Sequence, residues 1–408
     1  MMKSLVMRAA GAAVVVAGLL ASGNALAADA KPTVSKSVAK QLQAAQKASQ
    51  SKNWNECLSQ VRAADAVSGK SAYDDHIINE ILGFCAIRTN DYATAAKALE
   101  FGLNDGLLEQ DQVASRVKAL AQINYQIKNY PKAIEFGTRA VKGGFADSEM
   151  YTLVAQAFYI QGDYKGTLKF VNDWLEDGEK RGQSPRENTL QLLLSACIKL
   201  KDGACTTRGL EKLVTYYPKD EYWQNLMISL FQNGGGDRVM LNIFRLAAEV
   251  NAMRRAEDYT EMAQLSIEQG VPGEAQATLE AAMARKAFTD PRDLERNTRL
   301  LATAKQQAAN DKATLARQEK DAAAAKTGDP LVRVGQAYLS YGQAAQAVSA
   351  IQAGIAKGSL KNVAEAQLFL GMAQLKAGNK EEAIKAFRAV KGDDTLARLG
   401  NLWALHAK

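Results

Sequence analysis

The feature that most limits how this chain can fold is a recurring dipeptide, an Asn or Asp followed at once by an aromatic residue. Asn53-Trp54, Asp91-Tyr92, Asn129-Tyr130 and Asp163-Tyr164 set the aromatics 38, 38 and 34 residues apart. Three positions after each aromatic stands a small residue: Cys57, Ala95, Ala133 or Thr167. Nine positions before it stands another: Ala45, Gly83, Ala121 or Ala155. Each aromatic lies where one helical stretch closes and the next opens. Small residues at two fixed places let paired antiparallel helices approach closely, and the aromatic fills the space near the turn. Such a hairpin cannot bury its apolar stripe alone, so neighbouring hairpins must stack.

The pattern returns downstream. Leu370-Gly371 leads to Gly378-Asn379, Ala383 and Phe387, and Gly335, Tyr338, Gly342, Ala347 and Ile351 repeat it one unit earlier. Tyr259, Ala263, Gly270, Ala275 and Leu279 give a further copy, with Pro272 in the first turn of its second helix, where a missing N–H costs no interior hydrogen bond.

These residues resemble the tetratricopeptide repeat family. Tyr151, Gly162-Asp163-Tyr164 and Val171 match its aromatic, Gly-Asp-Tyr and second aromatic positions. Trp223 and Leu226 follow Pro218, the terminal proline that the pattern expects of the preceding unit, and Leu370-Gly371, Gly378, Ala383 and Phe387 form the most regular copy. The resemblance spans roughly residues 38 to 405, with units starting near 38, 76, 114, 148, 187, 220, 256, 328 and 364. It implies an all-α fold, a right-handed superhelical solenoid of stacked antiparallel hairpins. Departures are local: Gly203 replaces an aromatic, Thr206 replaces Ala, and Asn233 to Gly236 interrupts the array. The expected division is an N-terminal array over 38–233 and a C-terminal array over 237–408, or else one continuous superhelix. Segment 290–327 matches poorly. Asp290-Pro291 reads as a helix start, and Leu294, Leu301, Ala304, Ala308 and Leu315 form a thin apolar stripe. It is expected to be a divergent long-helix segment, a long hairpin or a divergent repeat, with a projecting arm or a linker as alternatives. Asp393 to Lys408 is expected to cap the array, with Leu399 and Trp403 facing the preceding unit.

Composition agrees. The chain has 408 residues, 47% hydrophobic and 23% charged, which excludes wholesale disorder, and only 7 prolines. Lys3 and Arg8, the apolar run from Ala9 to Leu20 and Ala25-Leu26-Ala27 read as a secretory signal peptide over 1–27, cleaved before Ala28, followed by a flexible leader over 28–37. The run is short for a membrane span, which needs about 20 residues. A periplasmic protein with no integral span after cleavage is expected. The net charge of +7 falls to +5 without Lys3 and Arg8, and its cations are interleaved with acids, so nucleic acid is not an expected partner.

Export permits disulfides. The repeat frame puts Cys57 on the second helix of one unit and Cys85 on the first helix of the next, and Cys197 and Cys205 on the two helices of one hairpin. The expected pairs are Cys57–Cys85 and Cys197–Cys205, with buried free thiols as the alternative. The cysteine spacing and only two histidines argue against zinc or a thiol nucleophile. His76 and His406 are expected to be solvent-facing or capping groups. Gly234, Gly235 and Gly236 lack the Lys-Ser or Lys-Thr of a phosphate loop. Acid pairs such as Asp74-Asp75 and Glu381-Glu382 suit helix starts, and adjacent helical side chains do not share a face.

No metal, cofactor or catalytic residue is therefore expected. The resemblance implies a non-enzymatic scaffold or adaptor, binding a peptide segment or helix of an envelope or secretion protein on its concave surface. Asn188, Lys199, Tyr222, Trp223 and Asn225 are the candidate partner-binding residues if polar first-helix positions face that groove. A cell-wall or polysaccharide-associated module binding glycan, and a wall-lytic enzyme on a helical solenoid, are the alternatives.

Overall fold

A computed structural model describes residues 32–232 and 234–408; the expected signal peptide and its cleavage site lie outside them. The described residues are helices and connecting turns, with no strand among them. The chain forms two compact units, Met1–Lys201 and Asp202–Lys408. The expected break at 233–237 falls inside the second.

Unit 1 holds α1 (Lys36–Gln50), α2 (Trp54–Asp65), α3 (Ala72–Arg88), α4 (Tyr92–Asn104), α5 (Gln110–Gln126), α6 (Tyr130–Lys142), α7 (Ser148–Ile160), α8 (Tyr164–Lys180) and α9 (Glu187–Lys199). Consecutive helices pair as hairpins, and α1 touches α3, α5 touches α7, and α7 touches α9. Each repeat aromatic is the first residue of its helix, directly after an Asn or Asp. Asp91 Oδ1 accepts from Thr94 N at 3.2 Å and Asp163 Oδ1 from Gly166 N at 2.7 Å, satisfying donors that a helix start leaves free. The small positions Ala45, Cys57, Ala95, Ala121, Ala133 and Ala155 are all fully buried, as close helix approach requires.

The tight links between helices need a left-handed residue just before the Asn or Asp. Gly162 fills that place in one hairpin, but Lys52, Asn90 and Lys128 fill it in the others, at φ of 58°, 62° and 62°. A side chain there costs roughly 1–2 kcal/mol, against about 0.5–1 kcal/mol of extra chain entropy for glycine. Lys128 is exposed. Lys128→Gly is therefore expected to stabilise the α5–α6 hairpin by about 0.5–1 kcal/mol, readable as slower amide exchange across residues 110–142; faster exchange there would contradict the strain.

Polar pairs recur 29 residues apart: Arg62 with Asp91 (3.4 Å) and Lys118 with Asp147 (2.7 Å) join neighbouring hairpins, and His76 with Asp105 (2.7 Å) lies within the α3–α4 hairpin. His76 is thus not solvent-facing. It is 8% exposed, and its Nδ1 meets the acid that ends α4, because the short link after α4 brings Asp105 over α3. The expected leader also ends early. Ser35 N and Oγ donate to Asp74 at 2.8 and 2.6 Å, and the same fully buried carboxylate accepts from Ser71 N in a capping box. Burial opposes ionisation of Asp74, but these bonds hold its carboxyl below the usual aspartate range.

Cys57 and Cys85 form a disulfide between α2 and α3, closing a separation of 28 residues. In the chain-entropy picture such a loop is worth about 3.5 kcal/mol. No described cysteine is free, and the Cys197–Cys205 pair stays a proposal. Alkylation without reduction should add no mass to the intact chain; label on Cys197 or Cys205 would defeat that pairing.

Unit 2 holds α10 (Gly203–Tyr216), α11 (Asp220–Gln232), α12 (Asp237–Glu249), α13 (Ala256–Glu268), α14 (Pro272–Ala284), α15 (Pro291–Ala324), α16 (Asp329–Ser340), α17 (Ala344–Lys357), α18 (Val363–Lys376), α19 (Lys380–Arg388) and α20 (Asp394–His406). The divergent segment, expected to be long-helical, is one unbroken helix, α15, rather than a hairpin. No Gly or Pro interrupts residues 292–327, and Asn297, Ala304, Ala308, Leu315 and Ala322 bury a single stripe along it. Its first part bonds to α13 through Thr260–Asn297 (3.0 Å). Its later part bonds to α16 and the residue after it, through Tyr338–Glu319 and Tyr341–Asp311 (both 2.6 Å). Trp403 on α20 stacks on Phe387 of α19 at 5.4 Å, and Leu399 is fully buried, so the last helix packs on the preceding hairpin. It also packs on α12, near the start of the unit, so unit 2 closes on itself.

Candidate functional site

That closure encloses a partly open cavity of about 580 Å³. Six helices supply most of its wall: α12, α13, α14, α16, α18 and α20. Met262, Leu339, Phe369, Met372 and Trp403 give the apolar part, with Ala248, Ala277 and Ala281 between them. Small alanines leave the volume open, and unbranched methionines let its shape adjust.

The charged part comes from α12. Arg245 and Glu249 lie one turn apart and so share a face. Arg245 is bidentate to Glu274 of α14, with Nε and Nη2 donating at 2.8 and 2.7 Å, while Nη1 donates to Asn242 Oδ1 at 2.8 Å. Its guanidinium carbon also lies 5.0 Å from the Phe369 ring centre. Glu249 accepts from Lys376 Nζ of α18 at 2.6 Å, and His406 Nε2 of α20 stands 3.8 Å away. His406 first, and then Lys376, hold the Glu249 carboxyl down at about 2 against the opposing effect of burial. The imidazole also meets Trp223 edge-on at 6.3 Å. His406 is exposed, as expected, but it has partners, because closure of the unit sets the last turn of α20 against α11 and α12. One turn before Arg245 and two before Glu249, fully buried Asn242 donates to Glu365 of α18 at 3.3 Å, so α12 and α18 are stitched along their length.

The five sequence-derived partner residues do not meet here. Asn188 and Lys199 are exposed on α9 in unit 1. On α11 in unit 2, Asn225 is exposed, but Tyr222 and Trp223 are 4% and 5% exposed and packed in the core, where they offer a partner little surface. None of the five lines the cavity. Sequence reasoning missed Arg245, Glu249, Phe369, Met372 and Lys376, whose pairing across up to 127 residues leaves no periodic trace. Among the described residues, no group of three His, Cys, Asp or Glu could hold a metal ion, and no helix is long and apolar enough to cross a membrane.

No protein-family model and no curated protein sequence matches the chain. Among solved structures, it is similar to a tetratricopeptide repeat protein from Parabacteroides merdae, at 13% identity and a TM-score of 0.30, over 81% of this chain and 98% of that one. It is similar also to the C-terminal part of a TPR repeat-containing protein from Cytophaga hutchinsonii, at 13% identity and a TM-score of 0.33, over 64% and 95%. A third is pilF of Pseudomonas aeruginosa, at 14% identity and a TM-score of 0.26, over 48% and 98%. Likeness at this level decides nothing about what the chain binds. The fold itself, read from its own helices, is an all-α stack of antiparallel hairpins of the tetratricopeptide-like class.

Proposed function

We propose that the chain is a non-enzymatic periplasmic scaffold or adaptor that receives a peptide segment or helix of another envelope or secretion protein in the cavity of unit 2. The observation that carries this reading is the cavity itself. It has the size and apolar lining of a recognition site, it is walled by helices, and its charged groups are arranged in closed pairs rather than around a nucleophile. The Cys57–Cys85 disulfide and the signal-like N-terminus support an oxidising compartment.

Position-specific photo-crosslinking in the native envelope tests it. A crosslinker at Ala281 or Gln336, both in the cavity wall, should give one discrete protein adduct. The same group at Gln307, exposed on α15, should not. Adducts at Gln307 alone, or retention on purified cell wall with no protein adduct, would sink the proposal.

A further inference from the structure

The wall of the unit 2 cavity is charged, yet none of its charges is spare. Arg245 directs Nε, Nη1 and Nη2 to Glu274 and Asn242. Lys376 and Glu249 satisfy each other at 2.6 Å. Two cations thus face two carboxylates, each held by a short charge-assisted bond. An anionic ligand group would have to draw Arg245 or Lys376 from its carboxylate. A cationic one would have to draw Glu249 or Glu274 from its cation. Drawing away Arg245, Lys376 or Glu274 strands Glu274, Glu249 or Arg245, whose side chains are only 18%, 21% and 12% exposed, and that is costly; Lys376 itself is exposed, and the intervening Leu339, Phe369 and Met372 carry no charge to compensate.

Neutral groups meet a different site. They bury apolar surface against those side chains without disturbing any pair. Gln336 and Thr278 in the same wall supply an amide and a hydroxyl for neutral hydrogen bonding.

We infer that the cavity formed by α12, α14, α16, α18 and α20 selects an uncharged, apolar occupant, its Arg245–Glu274 and Glu249–Lys376 pairs acting as a filter against ionised groups. This deepens the reading of the cavity as the recognition site: the segment it receives presents neutral apolar side chains rather than an acidic or basic tail.

A matched pair of dyes tests the filter on the purified chain with its disulfides intact. N-phenyl-1-naphthylamine and 1-anilinonaphthalene-8-sulfonate share one aromatic body and differ by a sulfonate. The neutral dye should bind with fluorescence enhancement, and the sulfonate roughly tenfold more weakly or worse. Ala281→Trp and Ala344→Trp, which fill the cavity from an exposed and a half-buried wall position, should each abolish binding of the neutral dye while leaving the far-UV circular dichroism unchanged. Glu249→Gln removes the carboxylate from Lys376 and leaves a cation in the wall; the ratio of sulfonate to neutral-dye affinity should rise about tenfold.

Equal or tighter binding of the sulfonate by the native chain, neutral-dye binding that survives both Trp variants, or no rise of that ratio in Glu249→Gln would each overturn the inference. These results are separable from the crosslinking. A cavity-specific protein adduct with no dye selectivity leaves the scaffold reading standing and removes the filter. Dye selectivity with no protein adduct does the reverse.

Discussion

Glu80→Ala should destabilise unit 1 by about 3–5 kcal/mol, the cost of leaving a buried cation without its partner. Glu80 on α3 and Arg116 on α5 form a bidentate pair, both bonds at 2.6 Å, with side chains only 9% and 10% exposed. Apart from Glu80, Arg116 is bonded only to the Leu99 carbonyl, at 3.4 Å, so truncating Glu80 strands a guanidinium between two hairpins. Space around the pair is also fixed: a Cβ on Gly102 of α4 would come within 2.5 Å of Glu80 Oε1. Glu80→Met with Arg116→Met should recover most of the loss, because apolar side chains of similar volume remove the desolvation cost along with the attraction. A stacked array unfolds by local units, so a single global midpoint can hide the effect. Hydrogen exchange across residues 72–126 is the direct readout. Unchanged exchange there in Glu80→Ala would mean that water already shares the pair.

Contacts within a hairpin were legible in the sequence, and contacts across the closure of unit 2 were not. Local packing repeats, so its demands repeat: Ala95 and Ala133 are small for the same reason, and Asp91 and Asn129 precede an aromatic at the same bend. Lys52, Asn90 and Lys128 hide their left-handed geometry because a stacked array tolerates about a kcal/mol of strain at a turn. Whether segment 290–327 was one helix or a hairpin stayed open for a different reason. Its buried stripe is mostly alanine, which packs closely but leaves a weak hydrophobic signal. The cavity depends on where α12 meets α18 and α20. Asn242 with Glu365 and Glu249 with Lys376 are 123 and 127 residues apart. Their meeting is set by the accumulated rotation of every hairpin between them, which no local spacing encodes.

That closure should loosen in acid. Glu249 titrates at about 2 in the folded chain, against 4.5 for an ordinary glutamate, through His406 first and Lys376 second. A carboxyl whose pKa is depressed by folding contributes stability that is fully present above the unfolded value and is lost as pH falls through the folded one. The contribution is therefore intact above about pH 5, shrinks below 4.5 and is gone near pH 2. Its ceiling is about 3 kcal/mol for a shift of this size at a side chain that is 21% exposed. His406 is the first of the two causes and the one that lies on α20, so His406→Phe should remove much of this acid sensitivity at the expense of stability at pH 7. Amide exchange in α20, compared with α14 as an internal reference after correction for the intrinsic pH dependence, should lose protection between pH 5 and pH 2.5 in the native chain and change far less in His406→Phe. The opposite ordering, with α20 tightening in acid, would require a group whose pKa is raised on folding, and would show that Glu249 does not hold the last helix to α12.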